Sequence, residues 1–375
     1  MSNPTPPNAL AELGQSIWLD YIRRDLMSSG ELQRMVSQEG LRGMTSNPAI
    51  FDKALSEGGL YDAALVEAYR SDPQLTPQEL FFALAVEDIR AAADHFADVY
   101  RASGRRDGFV SLEVSPELAH DADATVNEAL ALHNRVNRAN VMIKVPATRA
   151  GLQAIRHLTE AGISINVTLL FSVSRYAEVV EAYLDGLEAR LDRGLALGGI
   201  SSVASFFVSR VDSLIDDRLA EHPAPEAQAL QGRAAIANAQ LAYAHFLVVA
   251  ESPRWRRLAE AGANPQRLLW ASTSTKNPDY PPLLYVDELV GAQTVNTLPP
   301  ATYRALLQRG QAPVATLPGD VDAAREAVSR LAEFGIDLPA VTDRLESDGV
   351  AAFADAFQHL LGGIAARLDR IKADA

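Results

Sequence analysis

Short apolar or alternating runs recur along the chain, and their length and period predict about eight β-strands. Segments with apolar residues at helical spacing separate these runs, and such alternation implies parallel strands joined by crossover helices. About eight repeats favour a closed α/β barrel, the (β/α)8 or TIM barrel, over an open doubly wound sheet. The predicted strands are SIWLDYI (16–22), GLRGMTSN (40–47), FVSLEVS (109–115), NVMIKVP (140–146), SINVTLLFS (164–172), ISSVASFFVS (200–209), RLLWAST (267–273) and TVNTLP (294–299).

The same patterns predict how the chain is organised into domains. Residues 1–15 are expected to form an N-terminal arm and lead-in, loose over the Pro- and Asn-rich stretch 1–8. Residues 16–340 are expected to form a single (β/α)8 catalytic barrel with extra helices, because no break in composition divides them. Residues 341–375 carry apolar side chains at helical spacing, which predicts a C-terminal helix packed on the barrel. A lid over the site is the alternative for this segment.

Several helix boundaries are also predicted. A capping box over 76–79, with Pro at the first helical position, begins a long helix that extends to about residue 99. Further helices are predicted to begin at 115–116 and to run over 279–289.

Polar side chains occupy the inward face of several predicted strands. Because side chains alternate between the two faces of a strand, Lys144 in NVMIKVP points into the barrel, and Pro146 ends that strand. The carboxyl ends of the strands are the catalytic end of this architecture. Each such residue alone is more often paired or satisfied in a core, but a cluster of them is costly to bury without a function. The other members predicted at this end are Asp20, Asn47, Glu113, Asn166 and Thr168.

This set of side chains suits imine chemistry. A lysine removed from water is more often a neutral amine, which attacks a ketone to form an imine that acts as an electron sink. Imine formation and carbon–carbon cleavage both require proton transfer, and two carboxyl groups in different environments can divide that work. The sequence therefore predicts an enzyme that needs no cofactor, with Lys144 as its nucleophile.

Charge and composition narrow the possible partners. The chain of 375 residues has 34 Lys and Arg against 48 Asp and Glu, a net charge of -14, which disfavours nucleic acid. It has no cysteine, so thiolate catalysis and disulfides are excluded. No secretory signal pattern and no apolar run of ~18 residues is present, so no membrane association is predicted and a cytoplasmic location is expected.

A phosphorylated substrate would need local cations to overcome the negative net charge. Ser205 and Arg210 lie where the sixth strand enters a helix, and Lys276 follows the seventh strand. Helix N–H groups and an Arg fork are suited to phosphate, although each cation alone is more often solvated. No HExxH, EF-hand or Walker A motif is present, and the histidines show no ligand spacing, so no metal site is predicted.

An ordered series of motifs resembles transaldolase, in the long bacterial form. Each motif alone is weak, but their order over some 280 residues is specific. The resemblance implies a (β/α)8 barrel with the reactive lysine on the fourth strand, as the strand count also predicts. The motifs are WLDYIRRDL, GMTSNPAIF, VSLEVSP, VMIKVPAT, INVTLLFS, ASFFVSRVD, WASTSTKNPDY and TVNTLPP.

The resemblance implies catalytic roles for four side chains. Lys144 matches the Schiff-base lysine, and Asp20 matches the acid/base that assists carbon–carbon cleavage and re-formation. Glu113 matches the carboxylate that acts through a water on carbinolamine formation and imine hydrolysis. Thr168 matches the hydroxyl that positions this water.

The resemblance also implies binding roles. Asn47 and Asn166 match amides that hold substrate hydroxyls and the lysine, and Ser205 and Arg210 match phosphate contacts. Two positions depart from the shorter enzymes. Ser209 stands where those usually have Gly, and Lys276 stands about where they carry a second phosphate-binding Arg. A lysine is a point charge and cannot form the planar fork of Arg.

The implied reaction is reversible transfer of a dihydroxyacetone unit in the non-oxidative pentose phosphate pathway. Sedoheptulose 7-phosphate and glyceraldehyde 3-phosphate would give erythrose 4-phosphate and fructose 6-phosphate. The sequence leaves a monomer or a homodimer open. One alternative is a fructose 6-phosphate aldolase-like lyase, which Glu113 and Phe207 disfavour because those aldolases tend to carry Gln and Tyr there. Another is a non-catalytic barrel that binds a sugar phosphate or a protein, disfavoured because the lysine and both carboxylates are kept.

Overall fold

Eight parallel strands form a closed barrel in the computed structural model, which describes residues 4–57 and 59–373. Each strand pairs with its neighbours in chain order, so all eight predicted strands and the predicted (β/α)8 fold are confirmed. The strands are β1 Gln15–Asp20, β2 Met44–Thr45, β3 Val110–Glu113, β4 Val141–Pro146, β5 Ile165–Leu170, β6 Ser202–Phe207, β7 Gln266–Ala271 and β8 Thr294–Leu298.

The barrel closes where the first strand meets the last. Gln15 of β1 is the register partner of Thr294 of β8, and its side-chain Nε2 donates to Thr294 Oγ1 at 3.0 Å. The same Nε2 donates to the backbone oxygen of Leu289 at 2.6 Å. This β1–β8 seam joins segments that are far apart in the sequence.

Helices of varied length surround the strands and connect them. The outward side chains of β4, Val141, Ile143 and Val145, are fully buried beneath this layer, as the alternation in the sequence predicted. The α-helices are α1 Pro6–Glu12, α2 Arg24–Ser28, α3 Glu31–Arg34, α4 Pro48–Ser56, α5 Asp62–Ser71, α6 Pro77–His95, α7 Ala97–Ala102, α8 Ala122–Val136, α9 Arg149–Ala161, α10 Val173–Asp192, α11 Ser209–Ala220, α12 Pro225–Gln228, α13 Ala234–Ala250, α14 Pro253–Glu260, α15 Leu284–Asp287, α16 Pro300–Leu307, α17 Val321–Arg330 and α18 Leu338–Ala373.

Shorter turns of other helix types complete this layer. A π-helix covers Met35–Glu39, and 3-10 turns cover Pro116–Leu118 and Leu331–Phe334. Within the described part of the chain, no helix has the length and apolar character needed to cross a membrane.

The expectation of a loose N-terminal arm is wrong from residue 6 onwards. Pro6 and Pro7 occupy the first turn of α1, where a missing N–H costs no hydrogen bond, and Thr5 caps the helix by accepting from Asn8 N. Leu10 of this helix is fully buried. The earlier part of the predicted arm, residues 1–3, lies outside the described residues.

Three other helix predictions are correct in place but not in length. The capping box at Thr76 begins α6 as predicted, but the helix ends at His95, and Phe96 leaves the helical conformation before α7. The helix predicted from 115–116 is only a 3-10 turn, and α8 begins later, after the cap at Asp121. Of the predicted 279–289 helix only α15 forms.

An ion pair between a partly buried arginine and a buried carboxylate lies at the amino end of the barrel. Arg267 Nη2 lies 3.4 Å from Asp107 Oδ1. Asp107 also accepts hydrogen bonds from Trp18 Nε1, at 2.8 Å, and from the Ser16 hydroxyl. A Cβ added to Gly43 would lie 2.5 Å from the Trp18 ring, so this position requires glycine. We call Arg267 and Asp107 the lower ion pair.

The C-terminal helix α18 crosses the opposite, carboxyl end of the barrel. It contacts α4, which follows β2, α6, which precedes β3, and α11, which follows β6. Its residue Phe353 lines the same cavity as Lys144. The segment is therefore a helix packed on the barrel, and it also covers the mouth.

Candidate active site

A cavity of about 170 Å³ opens at the carboxyl ends of the strands. Two larger cavities lie among the outer helices, but the chemistry-bearing side chains predicted from the sequence converge on this one. Seven of the nine predicted site residues line it: Asp20, Asn47, Lys144, Thr168, Ser205, Arg210 and Lys276.

The remaining two, Glu113 and Asn166, lie beside Lys144 in the barrel wall. Glu113 on β3 and Asn166 on β5 are the direct register partners of Lys144 on β4. Parallel pairing therefore places the three side chains in one row across neighbouring strands, pointing the same way.

Lys144 is buried and paired. Only 5% of the residue is exposed, and its Nζ donates to Glu113 Oε2 at 3.0 Å and to the backbone oxygen of Ser46 at 2.9 Å. The Phe353 ring covers the amine, with its centroid 5.7 Å from Nζ. The direct contact with a carboxyl group gives the ammonium proton an acceptor within hydrogen-bond distance.

Glu113 is suited to hold that proton. Burial raises the pKa of its carboxyl group, the neighbouring Lys144 opposes the shift, and Asp20 adds to it. The net direction is upward, so the protonated acid is more accessible than for an exposed glutamate.

Asp20 lies in a different environment from Glu113. Its Oδ1 accepts from the Thr45 hydroxyl at 2.7 Å. Because Thr45 gives its only hydroxyl proton to Asp20, the 2.7 Å contact between Thr45 and Thr297 is a hydrogen bond donated by Thr297. Burial raises the pKa of Asp20, while Lys144, the Thr45 hydrogen bond and Arg210 oppose the shift. The two carboxyl groups are thus held by different partners, as a division of acid/base work requires.

Thr168 presents an unsatisfied hydroxyl to the cavity. Its Oγ1 is buried and has no hydrogen-bond partner among the described residues. The β5–β6 register shifts between Val167 and Leu170, and Leu169 has a positive φ of 59°. A buried hydroxyl without a partner costs about 1–3 kcal/mol, so this position suits a bound water or a substrate oxygen.

A hydrogen-bonded chain orders the amide next to the lysine. Ser205 Oγ donates to Asn166 Oδ1 at 2.6 Å, and Asn166 Nδ2 donates to Ser111 Oγ at 3.1 Å. Ser205, predicted as a phosphate contact, therefore gives its proton to Asn166 in this structure. Asn47 caps α4 by accepting from Ile50 N at 3.0 Å, and its side chain lines the cavity.

Two cations line the outer part of the cavity. Arg210 lies in the first turn of α11, and its guanidinium lies 5.2 Å from the centroid of the Phe207 ring. Among the described residues it has no carboxylate within ion-pair distance. Lys276 donates to Ser274 Oγ at 2.9 Å. Both cationic side chains line one cavity and are therefore placed to contact a single anion.

Sequence reasoning missed Thr45, Thr297 and Phe353. The alternation in TVNTLP could have placed Thr297 on the inward face, but no signal in the C-terminal segment distinguishes Phe353 from its apolar neighbours. Within residues 4–57 and 59–373, no group of three or more His, Asp or Glu is placed to hold a metal ion.

The fold and the site together define a (β/α)8-barrel enzyme with a buried lysine and two carboxyl groups at the carboxyl ends of the strands. The comparison with known proteins gives the family. The chain belongs to the Transaldolase/Fructose-6-phosphate aldolase family, which it matches over residues 17–364. The resemblance predicted from the ordered motifs is confirmed.

Full-length relatives carry the name transaldolase. The chain is 45% identical to the transaldolase of Frankia alni over 374 residues, which cover 100% of both chains. It is 47% identical to transaldolase 1 of Streptomyces avermitilis, over 97% of this chain and 96% of that one. It is 43% identical to transaldolase 2 of a Nostoc species, over 95% of each chain.

Proposed function

We propose that this protein is a transaldolase, which reversibly transfers a dihydroxyacetone unit between sugar phosphates of the non-oxidative pentose phosphate pathway. Sedoheptulose 7-phosphate is the donor and glyceraldehyde 3-phosphate the acceptor in one direction. Erythrose 4-phosphate and fructose 6-phosphate are the products. The observation that carries this proposal is the buried Lys144 Nζ, 3.0 Å from Glu113, in a chain similar over its full length to transaldolases.

The first step is formation of the imine. Lys144 gives a proton to Glu113 and attacks the ketone carbon of the donor, which forms a carbinolamine. Glu113 then returns the proton, through a water held by the Thr168 hydroxyl, to the oxygen that leaves as water. The raised pKa of Glu113 and the unpartnered Thr168 hydroxyl support these roles.

The second step breaks a carbon–carbon bond. The Asp20 carboxylate takes the proton from the hydroxyl on the carbon beyond the bond that breaks. That hydroxyl becomes the carbonyl of the departing aldehyde, and the bonding electrons pass into the imine to give an enamine. The acceptor aldehyde then enters, the steps run in reverse, and Asp20 returns its proton. The Thr45 hydrogen bond supports this role, since it favours the carboxylate form of Asp20.

Binding roles follow from the position of the other predicted residues. We assign the substrate hydroxyls to Asn47 and Asn166 and the phosphate to Arg210 and Lys276, with Ser205 holding Asn166. The lack of an ion-pair partner for Arg210 among the described residues supports its assignment. The division into a barrel over 16–340 and a helix over 341–375 stays our proposal, as do a monomer or homodimer and a cytoplasmic location.

Borohydride trapping tests the proposal directly. The enzyme is incubated with fructose 6-phosphate and borohydride, and digested peptides are analysed by mass spectrometry. We expect a reduced three-carbon adduct on Lys144, and no adduct in the Lys144→Ala variant. An unmodified Lys144 in active enzyme would rule out this mechanism. Accumulation of free dihydroxyacetone at the full rate without an acceptor would instead indicate the aldolase alternative.

A further inference from the structure

The C-terminal helix places an aromatic ring on the reactive amine. Phe353 is 8% exposed, and its ring centroid lies 5.7 Å from Lys144 Nζ. Its side chain lines the cavity together with Thr168 and Asp20. The lysine is thus enclosed by barrel strands and, above them, by one apolar side chain from a distant part of the sequence.

The same face of α18 contacts the barrel one turn earlier. A Cβ added to Gly349 would lie 3.0 Å from the Leu169 side chain and 3.7 Å from Arg210 Nη1. Leu169 is the residue with positive φ that follows Thr168. The helix therefore lies directly on the β5 irregularity that presents the Thr168 hydroxyl, and it leaves little room there for solvent.

Contacts on both sides of the mouth hold the helix in place. Towards its start, Glu346 pairs with Arg175 of α10 at 3.2 Å. One turn after Phe353, the Phe357 ring packs against Phe81 of α6, with centroids 5.6 Å apart. Further along, Arg367 pairs with Asp62 of α5 at 3.2 Å. The Phe353 ring over the lysine therefore belongs to a helix that is fixed to the barrel on both sides of the cavity.

We propose that Phe353 is a specificity-determining residue, which directs the lysine adduct towards transfer and away from release as free dihydroxyacetone. This inference rests on the proposed function. After the donor is cleaved, the enamine has two fates. In transfer, its nucleophilic carbon bonds to the acceptor aldehyde carbon, whose oxygen takes a proton. In release, that carbon takes a proton instead, water adds across the resulting C=N bond, and the bond to Nζ breaks.

Release gives free dihydroxyacetone and regenerates the Lys144 amine. Both fates end with hydrolysis of an imine on Lys144, so they differ only at the enamine, whose carbon takes a proton in release and bonds to an aldehyde in transfer. A ring that fills the space over Nζ keeps bulk solvent, the source of that proton, away from the enamine. It does not block entry of an aldehyde from the phosphate side, where Arg210 and Lys276 lie.

The test measures partitioning in the full-length enzyme. Dihydroxyacetone release is measured with fructose 6-phosphate alone, and transfer is measured with erythrose 4-phosphate added. We expect the ratio of release to transfer to rise about tenfold in Phe353→Ala and by a smaller factor in Phe353→Leu, since a tenfold change needs only a small difference in barrier. The borohydride-trappable adduct should also decay faster in both variants once the donor is exhausted.

A neighbouring position on the helix provides the control. Leu361 is partly buried against the core and lies two turns beyond Phe353, so Leu361→Ala tests general loosening of α18. Its ratio should equal that of the parent. An unchanged ratio in the Phe353 variants, with both rates falling together, would overturn the inference. If the Ala variant does not fold, the Leu variant decides in the same way.

The two proposals fail differently. Absence of a trapped adduct in the parent enzyme would overturn the proposed function and this inference with it. A trapped adduct together with an unchanged ratio would overturn only the role of Phe353.

Discussion

The two ends of the barrel each contain an ion pair with a buried carboxylate, but the two pairs are built differently. The lower ion pair uses Arg267, whose guanidinium also donates to Ser16 Oγ at 3.0 Å and to the Arg106 backbone oxygen at 2.8 Å. Its carboxylate partner, Asp107, accepts from Trp18 as well. Protein groups therefore satisfy both members, and an arginine does not give up its proton.

The upper pair, Lys144 and Glu113, borders a cavity. Lysine has three donors, of which Glu113 and Ser46 receive two. Because Lys144 can give a proton to Glu113, whose pKa is raised, its amine can act as a nucleophile. The guanidinium of the lower ion pair keeps its proton and cannot. An ion pair inside the barrel can therefore take part in a reaction only if its cation can lose a proton and a cavity beside it can hold the substrate.

We expect the largest effect from removing the cation of the upper pair, Lys144. Lys144→Met keeps a side chain of similar length, and we expect kcat to fall by about 10⁴-fold or more, because no other group forms the imine. The melting temperature should change little, since Glu113, with its raised pKa, can take up a proton. Steady-state kinetics and thermal unfolding measure both. The exposed Lys53→Met is the control, and a Lys144→Met variant with near-parental kcat contradicts the comparison.

Removing the lower cation should have the opposite pattern. Arg267→Met leaves Asp107 buried without its charge partner, so the free energy of unfolding should fall by about 3–5 kcal/mol. The kcat of the folded fraction should stay close to that of the parent, because this end of the barrel does not touch the cavity. Urea unfolding and assays below the transition measure the two effects. The matched control is the exposed neighbour, Arg106→Met, expected within about 0.5 kcal/mol of the parent. Equal losses of stability in both variants would argue against a structural ion pair.

A smaller effect concerns the hydrogen bond on the second carboxyl group. Thr45→Val removes the donor that favours the Asp20 carboxylate, so the pKa of Asp20 should rise further. Because Asp20 must be deprotonated to accept the hydroxyl proton, the acidic limb of the kcat–pH profile should move to higher pH. We expect about a tenfold loss at the acidic end. Thr297→Val should shift the limb less, in the same direction. An unmoved limb in Thr45→Val would show that this hydrogen bond does not tune Asp20.

We expect the smallest effect from replacing a lysine at the cavity with arginine, the cation of the lower ion pair. Lys276→Arg supplies a planar fork suited to phosphate, so KM for sugar phosphates should fall a few-fold with kcat nearly unchanged. Kinetics with fructose 6-phosphate measure the change. The same KM in both enzymes would mean that Lys276 does not contact the phosphate.

Much of this architecture could be predicted because the strands carry a strong local pattern. Alternation sets the inward face of each strand, so the sequence alone places Lys144, Glu113 and Asn166 on the inner wall of neighbouring strands. Helix ends were less predictable. Phe96 and Asp121 interrupt patterns that continue in the sequence, and their effect depends on how the adjacent turns pack.

Contacts between distant segments could not be predicted. Asp107 lies in the loop segment GRRDG, which has no periodicity to indicate that it pairs with Arg267 on a strand. Phe353 resembles the other apolar residues of α18, and only the crossing of that helix over the mouth places it on Lys144. Such positions depend on long-range packing, which one sequence does not encode in a local signal.

The β1–β8 seam has a consequence for folding of the chain during its synthesis. Gln15 emerges from the exit tunnel early, but its partner Thr294 is synthesised only when most of the polypeptide is outside. Until then β1 and β7 have open edges, which can pair with other nascent chains. The two edges therefore stay open to pairing until β8 has been synthesised and the barrel closes.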